Sequence, residues 1–213
     1  LGKFNKYYKD VSMAWLWARI HIRAQSRESS GEKLGYFEGG FQVFTDALIA
    51  KCKELGVTIN VDTNIESIQS LDNGNVGLSV NGSSKTYDRL IATVPSYVFA
   101  DLISNKNVDT VYKKQLNKVN YLGARLLIFT SNQKISDYYW HNINDVNLPF
   151  LVFINHTKLI DKNNYGNKYV YYIATYVPHE DKLFTMSDKE LELLWLKSLK
   201  KVFPKFNQKQ LDN

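Results

Sequence analysis

The sequence predicts an α+β fold with two domains interleaved along the chain, and three observations carry that expectation. A helical apolar stripe over 41–55 leads into short strand-like runs joined by hairpin turns, which predicts a helix and a β-meander. Three longer β-rich runs follow between 124 and 177, enough for a second sheet. A capped amphipathic helix then closes the pattern, and no internal repeat or low-complexity tract interrupts it.

Each element has a local reason. Residues 11–24, VSMAWLWARIHIRA, place Met13, Leu16, Trp17 and Ile20 at helical spacing, and the polar stretch QSRESSGEKLG after them reads as a loop. Phe41, Phe44, Ala47, Leu48, Cys52 and Leu55 share one helical face, and Gly56 stands where a left-handed residue ends a helix. Cys52 on that face reads as a small core residue. VTINV, IESIQSL, VGLSV and DRLIATV follow, with Asp-Asn-Gly at 72–74 and Asn-Gly at 81–82 as tight turns; they predict a strand, a meander and a returning strand. Pro95 opens a helix through Leu102, because the first helical turn has no use for the missing amide. ARLLIFT, PFLVFINHT and YVYYIATYV predict the second sheet. Ser187 and Glu190 form a capping box for a helix reaching Val202, which Pro204 ends.

Composition narrows the function. A chain of 213 residues with 44% hydrophobic and 23% charged residues folds, as one large domain or two small ones. Its 27 Lys and Arg against 21 Asp and Glu give +6, but the lysines are scattered, which argues for a solvated surface and against nucleic-acid binding. One cysteine allows no internal disulfide and favours a reducing compartment, so a cytoplasmic location is expected. No stretch has the length of an integral membrane segment, and nothing in the pattern specifies an oligomeric state. The chain starts at Leu1 inside a charged, aromatic segment, as a piece of a longer protein would.

The motifs are sparse. Gly39-Gly40 ahead of a helix can bring backbone close to an anion or a flat ring, although a tight helix-entry turn explains it equally. Neither G-x-G-x-x-G nor a P-loop is present. His21, His141, His156 and His179 lack metal-ligand spacing, so no metal site is expected, and His156 at a strand end is the one to follow. No G-x-S-x-G elbow supports a hydrolase. Tyr138, Tyr139, Trp140, Phe150, Phe153, Tyr169, Tyr171, Tyr172 and Tyr176 can line a pocket, yet at strand spacing about half must face a core. Arg19, Arg23 and Arg27 would form a basic stripe if the helix persisted.

LGYFEGGFQVFTDALIAKCKELGVTINVDTNIESI resembles the G-G-x-x-x-L and x-V-x-x-I segment of FAD-dependent amine oxidoreductases, the group of amine oxidases, protoporphyrinogen oxidase and phytoene desaturases. YDRLIATVPSYVFADLI is similar to that family's next strand and helix, and the stretches around 138–160 and 165–177 are similar to a bacterial subgroup of NAD(P)/FAD-dependent oxidoreductases. The resemblance departs where the subgroup has Glu-His-Thr-Asn and this chain has Asn155-His156-Thr157-Lys158.

It implies a fragment without the family's N-terminal Rossmann-like phosphate-binding segment: residues 1–40 and 96–213 as a substrate-binding domain, 41–95 as a partial FAD-binding domain. It implies FAD as cofactor of the full-length protein, bound weakly or not at all by this piece, with hydride transfer from a small-molecule substrate. By the same resemblance Gly39, Gly40, Ile65, Ala92, Thr93 and Pro95 would meet the cofactor, and Gln42, Tyr139, Trp140 and His156 the substrate; no catalytic residue is identified. Two alternatives stay open: a flavin-dependent sugar mutase similar to UDP-galactopyranose mutase, and a non-enzymatic binding domain.

Overall fold

The computed structural model describes residues 2–28, 31–32, 35–103 and 108–211. Packing divides the chain into two compact units, one of residues 1–41 with 121–213 and one of residues 42–120. The second change of unit therefore follows residue 120, after two short helices that pack with the meander.

In chain order, a 3-10 segment Gly2–Asp10 leads to helix α1 (Met13–Gln25), capped by the Ser12 hydroxyl accepting from the Ala14 amide. Two-residue strands β1 (Arg27–Glu28) and β2 (Gly31–Glu32) pair where a loop is predicted, while 29–30 and 33–34 of that stretch lie outside the described residues. Arg27 thus falls beyond α1, and the three arginines do not form one helical stripe. Next come α2 (Phe41–Glu54), β3 (Ile65–Ser70), β4 (Val76–Val80), β5 (Ser83–Tyr87), α3 (Ser96–Leu102) and α4 (Thr110–Leu116). The rest is β6 (Leu122–Ser131), β7 (Trp140–Asn142), β8 (Val152–Asn155), β9 (Tyr169–Pro178), α5 (Lys182–Thr185) and α6 (Asp188–Val202).

In the first unit, strands in the order β6-β9-β8-β7 form an antiparallel sheet. One face packs on α6, whose Leu191, Trp195 and Leu199 recur every four residues and bury with Phe153, Tyr171 and Ile173. Phe153 stacks on Tyr171 at 5.2 Å, and Phe150 meets Trp195 edge-on at 6.1 Å. The predicted capping box forms in both directions between Ser187 and Glu190, so α6 starts where the sequence says.

The second unit is built on the meander β3-β4-β5. Ile68, Leu78, Val80 and Ile103 are its core, with Phe99 and Leu116 packed against them. Asn81 and Gly82 both take positive φ (49° and 73°), as a two-residue hairpin that matches strand twist requires.

Two strand expectations fail in this unit. Residues 57–61 and 88–94 belong to no helix or strand, and Val61 and Ile91 are 76% and 88% exposed. The returning strand is SSKTY at 83–87 instead, because the Asn81-Gly82 turn folds the chain directly back on β4. Helix α2 forms as predicted and ends at Gly56 (φ 81°), yet no residue in it is buried: Phe44, Leu48 and Leu55 are exposed and Cys52 only half-buried. The expectation of a core cysteine is corrected accordingly. Among the described residues no helix is long and apolar enough to cross a membrane, and no His, Cys, Asp and Glu group can hold a metal.

Candidate functional site

Strand register turns one set of side chains of the four-stranded sheet away from α6. Side chains of directly paired antiparallel residues share a face. Trp140 pairs with Ile154, Ile154 with Tyr172, and Tyr172 with Ile128, so these four lie in one row across all four strands. The adjacent row is Asn142, Val152, Ala174 and Leu126. Trp140, Ile128 and Leu126 are about half exposed on this face, at 50%, 54% and 49%. The same register sends Phe153, Tyr171 and Ile173 into the core, and Tyr138 is left exposed.

A polar lock fixes the end of β8. Asn155 is 1% exposed; its amide nitrogen donates to the Ser136 carbonyl at 2.8 Å and its side-chain oxygen accepts from the Thr157 hydroxyl at 2.6 Å. Its backbone amide donates to the Tyr139 carbonyl at 2.8 Å. The chain then enters a 3-10 turn that buries His156.

His156 sits among the ring edges of Tyr36, Tyr165 and Tyr172, with centroids 5.3, 5.5 and 5.6 Å away. Its Nε2 is 2.7 Å from the Tyr165 hydroxyl. Burial pushes its pKa below the usual histidine value, so the ring is neutral at physiological pH. Burial and the neighbouring phenols, Tyr36 first, push the Tyr165 and Tyr172 hydroxyls up, and both stay protonated. Tyr165 is placed by a tight segment: Asp161 caps it by accepting from the Asn163 amide at 2.8 Å, and Gly166 ends it in the left-handed region (φ 63°).

Facing this segment is the turn at Gly39 and Gly40, with φ of 83° and 86°. A Cβ on Gly40 would meet nothing within 4 Å, so conformation, and not crowding within the chain, demands glycine there. The Gly40 amide donates to the Phe37 carbonyl at 2.9 Å. Between residues 36–40 and 159–165 lies a cavity of about 410 Å3 walled by Tyr36, Phe37 and Tyr165, with Glu38 and Asp161 among its lining.

Of the residues expected at a site, Gly39, Gly40, Tyr139, Trp140 and His156 belong to this unit. Gln42, Ile65, Ala92, Thr93 and Pro95 belong to the other. There Gln42 donates to Asp46 at 2.7 Å on the surface of α2, and Ile65 opens β3 next to a bulge. Ala92 and Thr93 lie in an exposed segment outside any helix or strand, and Pro95 caps α3. Tyr36 and Tyr165 escaped sequence reasoning; the available signal was the Asp161 cap and Gly166, which bound the short 3-10 segment that carries Tyr165. A second pair also escaped it: the Ser136 hydroxyl lies 2.7 Å from His141 Nε2, tying the segment after β6 to β7.

The sequence matches the family model described as flavin containing amine oxidoreductase over residues 3–212. No curated protein matches the chain. Among solved structures it resembles an oxidoreductase from Methanosarcina mazei (18% identity, TM-score 0.65), with 82% of this chain aligned to 41% of that one. Reduced UDP-galactopyranose mutase aligns at 16% identity and TM-score 0.66, over 92% of this chain and 44% of the mutase. A putrescine oxidase redesigned in its cofactor binding aligns at 11% identity and TM-score 0.52, over 76% and 35%. At such identities the likeness establishes the α+β fold, and the chain spans less than half the length of each of these structures. The match over nearly every residue is what assigns the family: the chain belongs to the flavin containing amine oxidoreductases.

Proposed function

We propose that these residues are the substrate-binding part and a portion of the flavin-binding part of an FAD-dependent oxidoreductase of the amine oxidase type. The observation that carries this is the open aromatic face of the four-stranded sheet, continuous through Tyr172 with the His156 cluster, in a chain of this family. A row with Trp140 and Ile128 exposed at its ends and Ile154 and Tyr172 half-buried between them suits a flat apolar substrate body, and the neutral hydroxyl and imidazole groups beside it suit its polar end.

The residues present fit part of a flavin. The space over Gly40 lets a flat ring approach the backbone closely, and Gly39 shares that turn. Phosphates have no cradle here: the sequence has no G-x-G-x-x-G, and the Gly40 amide is already used by Phe37. Gly39 and Gly40 would approach the ring, and Ile65, Ala92, Thr93 and Pro95 would meet the rest of the cofactor through the second unit. The bound flavin supplies the hydride acceptor. Gln42, Tyr139, Trp140 and His156 would hold the substrate, and Tyr36 and Tyr172 would exclude water from its polar end.

The reading is tested on the full-length protein under anaerobic conditions, with a panel of amines and polyenes mixed against bound flavin. Loss of the visible flavin bands with any of them supports it. Flavin that no substrate bleaches, in a protein that interconverts UDP-galactopyranose and UDP-galactofuranose once reduced, overturns it in favour of the mutase.

A further inference from the structure

We infer that a cavity walled by the 143–151 loop, on the covered side of the four-stranded sheet, binds a small neutral aliphatic alcohol whose oxygen accepts a hydrogen bond from the Thr175 hydroxyl. It is a second small-molecule site, separate from the open sheet face assigned to the substrate.

Thr175 carries the inference. The residue is 4% exposed, and its hydroxyl makes no hydrogen bond among the described residues. A buried hydroxyl without a partner costs free energy that a ligand oxygen recovers. Trp195 Nε1 is also unpartnered but sealed in the core, whereas Thr175 lines a cavity of about 530 Å3. Thr175 pairs with Arg125, next to the Ala174 and Leu126 pair of the open face, so its side chain points to the α6 side.

The walls are held in place by the chain itself. The Ile143 amide donates to the Leu151 carbonyl at 2.8 Å, and the Leu151 amide donates to the Ala174 carbonyl at 3.0 Å, which pins both ends of the loop. Within it the Asp145 carboxylate accepts from the Asn147 backbone amide at 2.9 Å and from its side chain at 3.0 Å. On the α5 side Asp181 accepts from the Leu183 amide at 2.9 Å, and Leu183 is buried.

The lining selects the ligand. Most of it is aliphatic, with Leu148, Leu151 and Val177 in it and no aromatic ring, so a saturated body fits and a cation finds no ring face. It holds neither Lys nor Arg, while Asp145 and Asp181 are acidic, so an anion meets like charge. Both carboxylates are already engaged by amides and offset little of a cation's lost hydration. An alcohol donates and accepts as Thr175 does: its oxygen takes the Thr175 proton, and its own O–H turns to a carboxylate or to water at the mouth.

The test is a ligand-observed NMR titration of the full-length protein with cyclohexanol, cyclohexanecarboxylate and protonated cyclohexylamine, which share one ring and differ in charge. Cyclohexanol is expected to bind, and each charged probe to bind at least about threefold more weakly. Thr175→Val keeps the branched shape and removes the hydroxyl, so it should weaken cyclohexanol by about three- to tenfold. The same variant should unfold at an unchanged or higher urea midpoint, because no partner within the chain is lost. No binding of cyclohexanol, a charged probe bound as tightly, or equal affinity in wild type and Thr175→Val overturns the inference. So does a midpoint lowered by that substitution, which would show that the hydroxyl already serves the fold. None of these readouts depends on flavin, so the inference and the reading of the open face fail separately.

Discussion

His156 Nε2 and the Tyr165 hydroxyl are 2.7 Å apart, and burial holds the imidazole neutral. A native state that disfavours the charged ring gives a definite pH signature. The folded pKa lies below 6.5 and the unfolded one near it, so on acidification the unfolded chain takes up the proton first. This contribution to stability is complete above about pH 6.5 and is lost as pH falls from there toward the folded value. Urea midpoints should therefore drop between about pH 7.5 and 5 in the wild type and drop less in His156→Gln. Asp137, Glu190 and Glu180, whose pKa values are lowered by their partners, act in the same direction but near pH 4 and below. An identical midpoint change in wild type and His156→Gln contradicts the neutral, buried assignment.

Tyr171 offers a second titration. Its hydroxyl accepts from the Ile135 amide at 2.8 Å and donates to the Gln133 carbonyl at 3.2 Å, and burial pushes its pKa up to about 12. Tyr171→Phe strands the Ile135 amide and should cost about 1–3 kcal/mol in denaturant unfolding. The phenolate band should show one tyrosine fewer at the alkaline end of the titration, and no change near pH 10.

Gly123 on β6 has no room for a side chain, since a Cβ there would lie 2.1 Å from the Phe184 ring. Gly123→Ala is expected to destabilise by about 1–3 kcal/mol through overpacking. Phe184→Leu in the same background should recover part of that loss; an unchanged midpoint for the single variant would show that the ring can move aside freely.

The open sheet face predicts the opposite pattern. Trp140 is half exposed, so Trp140→Ala should change stability by less than about 0.5 kcal/mol. It should weaken a substrate that rests on the face by about tenfold. Equal affinity in the variant would remove that face from the site.

The legible parts of the fold are those whose cause lies within a few residues. The Ser187-Glu190 box set the start of α6, the Asn81-Gly82 turn set the β4-β5 hairpin, and periodicity with Gly56 set α2. Residues 57–61 and 88–94 have strand composition, but a strand also needs a partner, and local patterning does not say whether one is in reach. β7 is three residues long, too short for alternation to register. His156 could be singled out as a polar residue at a strand end. Its partners could not: Tyr36 reaches it from 120 positions away, and Tyr165 through the geometry of a 3-10 segment.

The central claim is that this chain is part of a flavoprotein and lacks the phosphate cradle that would let it hold the cofactor alone. The visible spectrum and FAD content of the full-length protein, measured beside the 213-residue chain, test it most directly. The account predicts flavin bands in the full-length protein, with FAD released on denaturation, and no bands from the shorter chain. A colourless full-length protein that takes up no added FAD would contradict it.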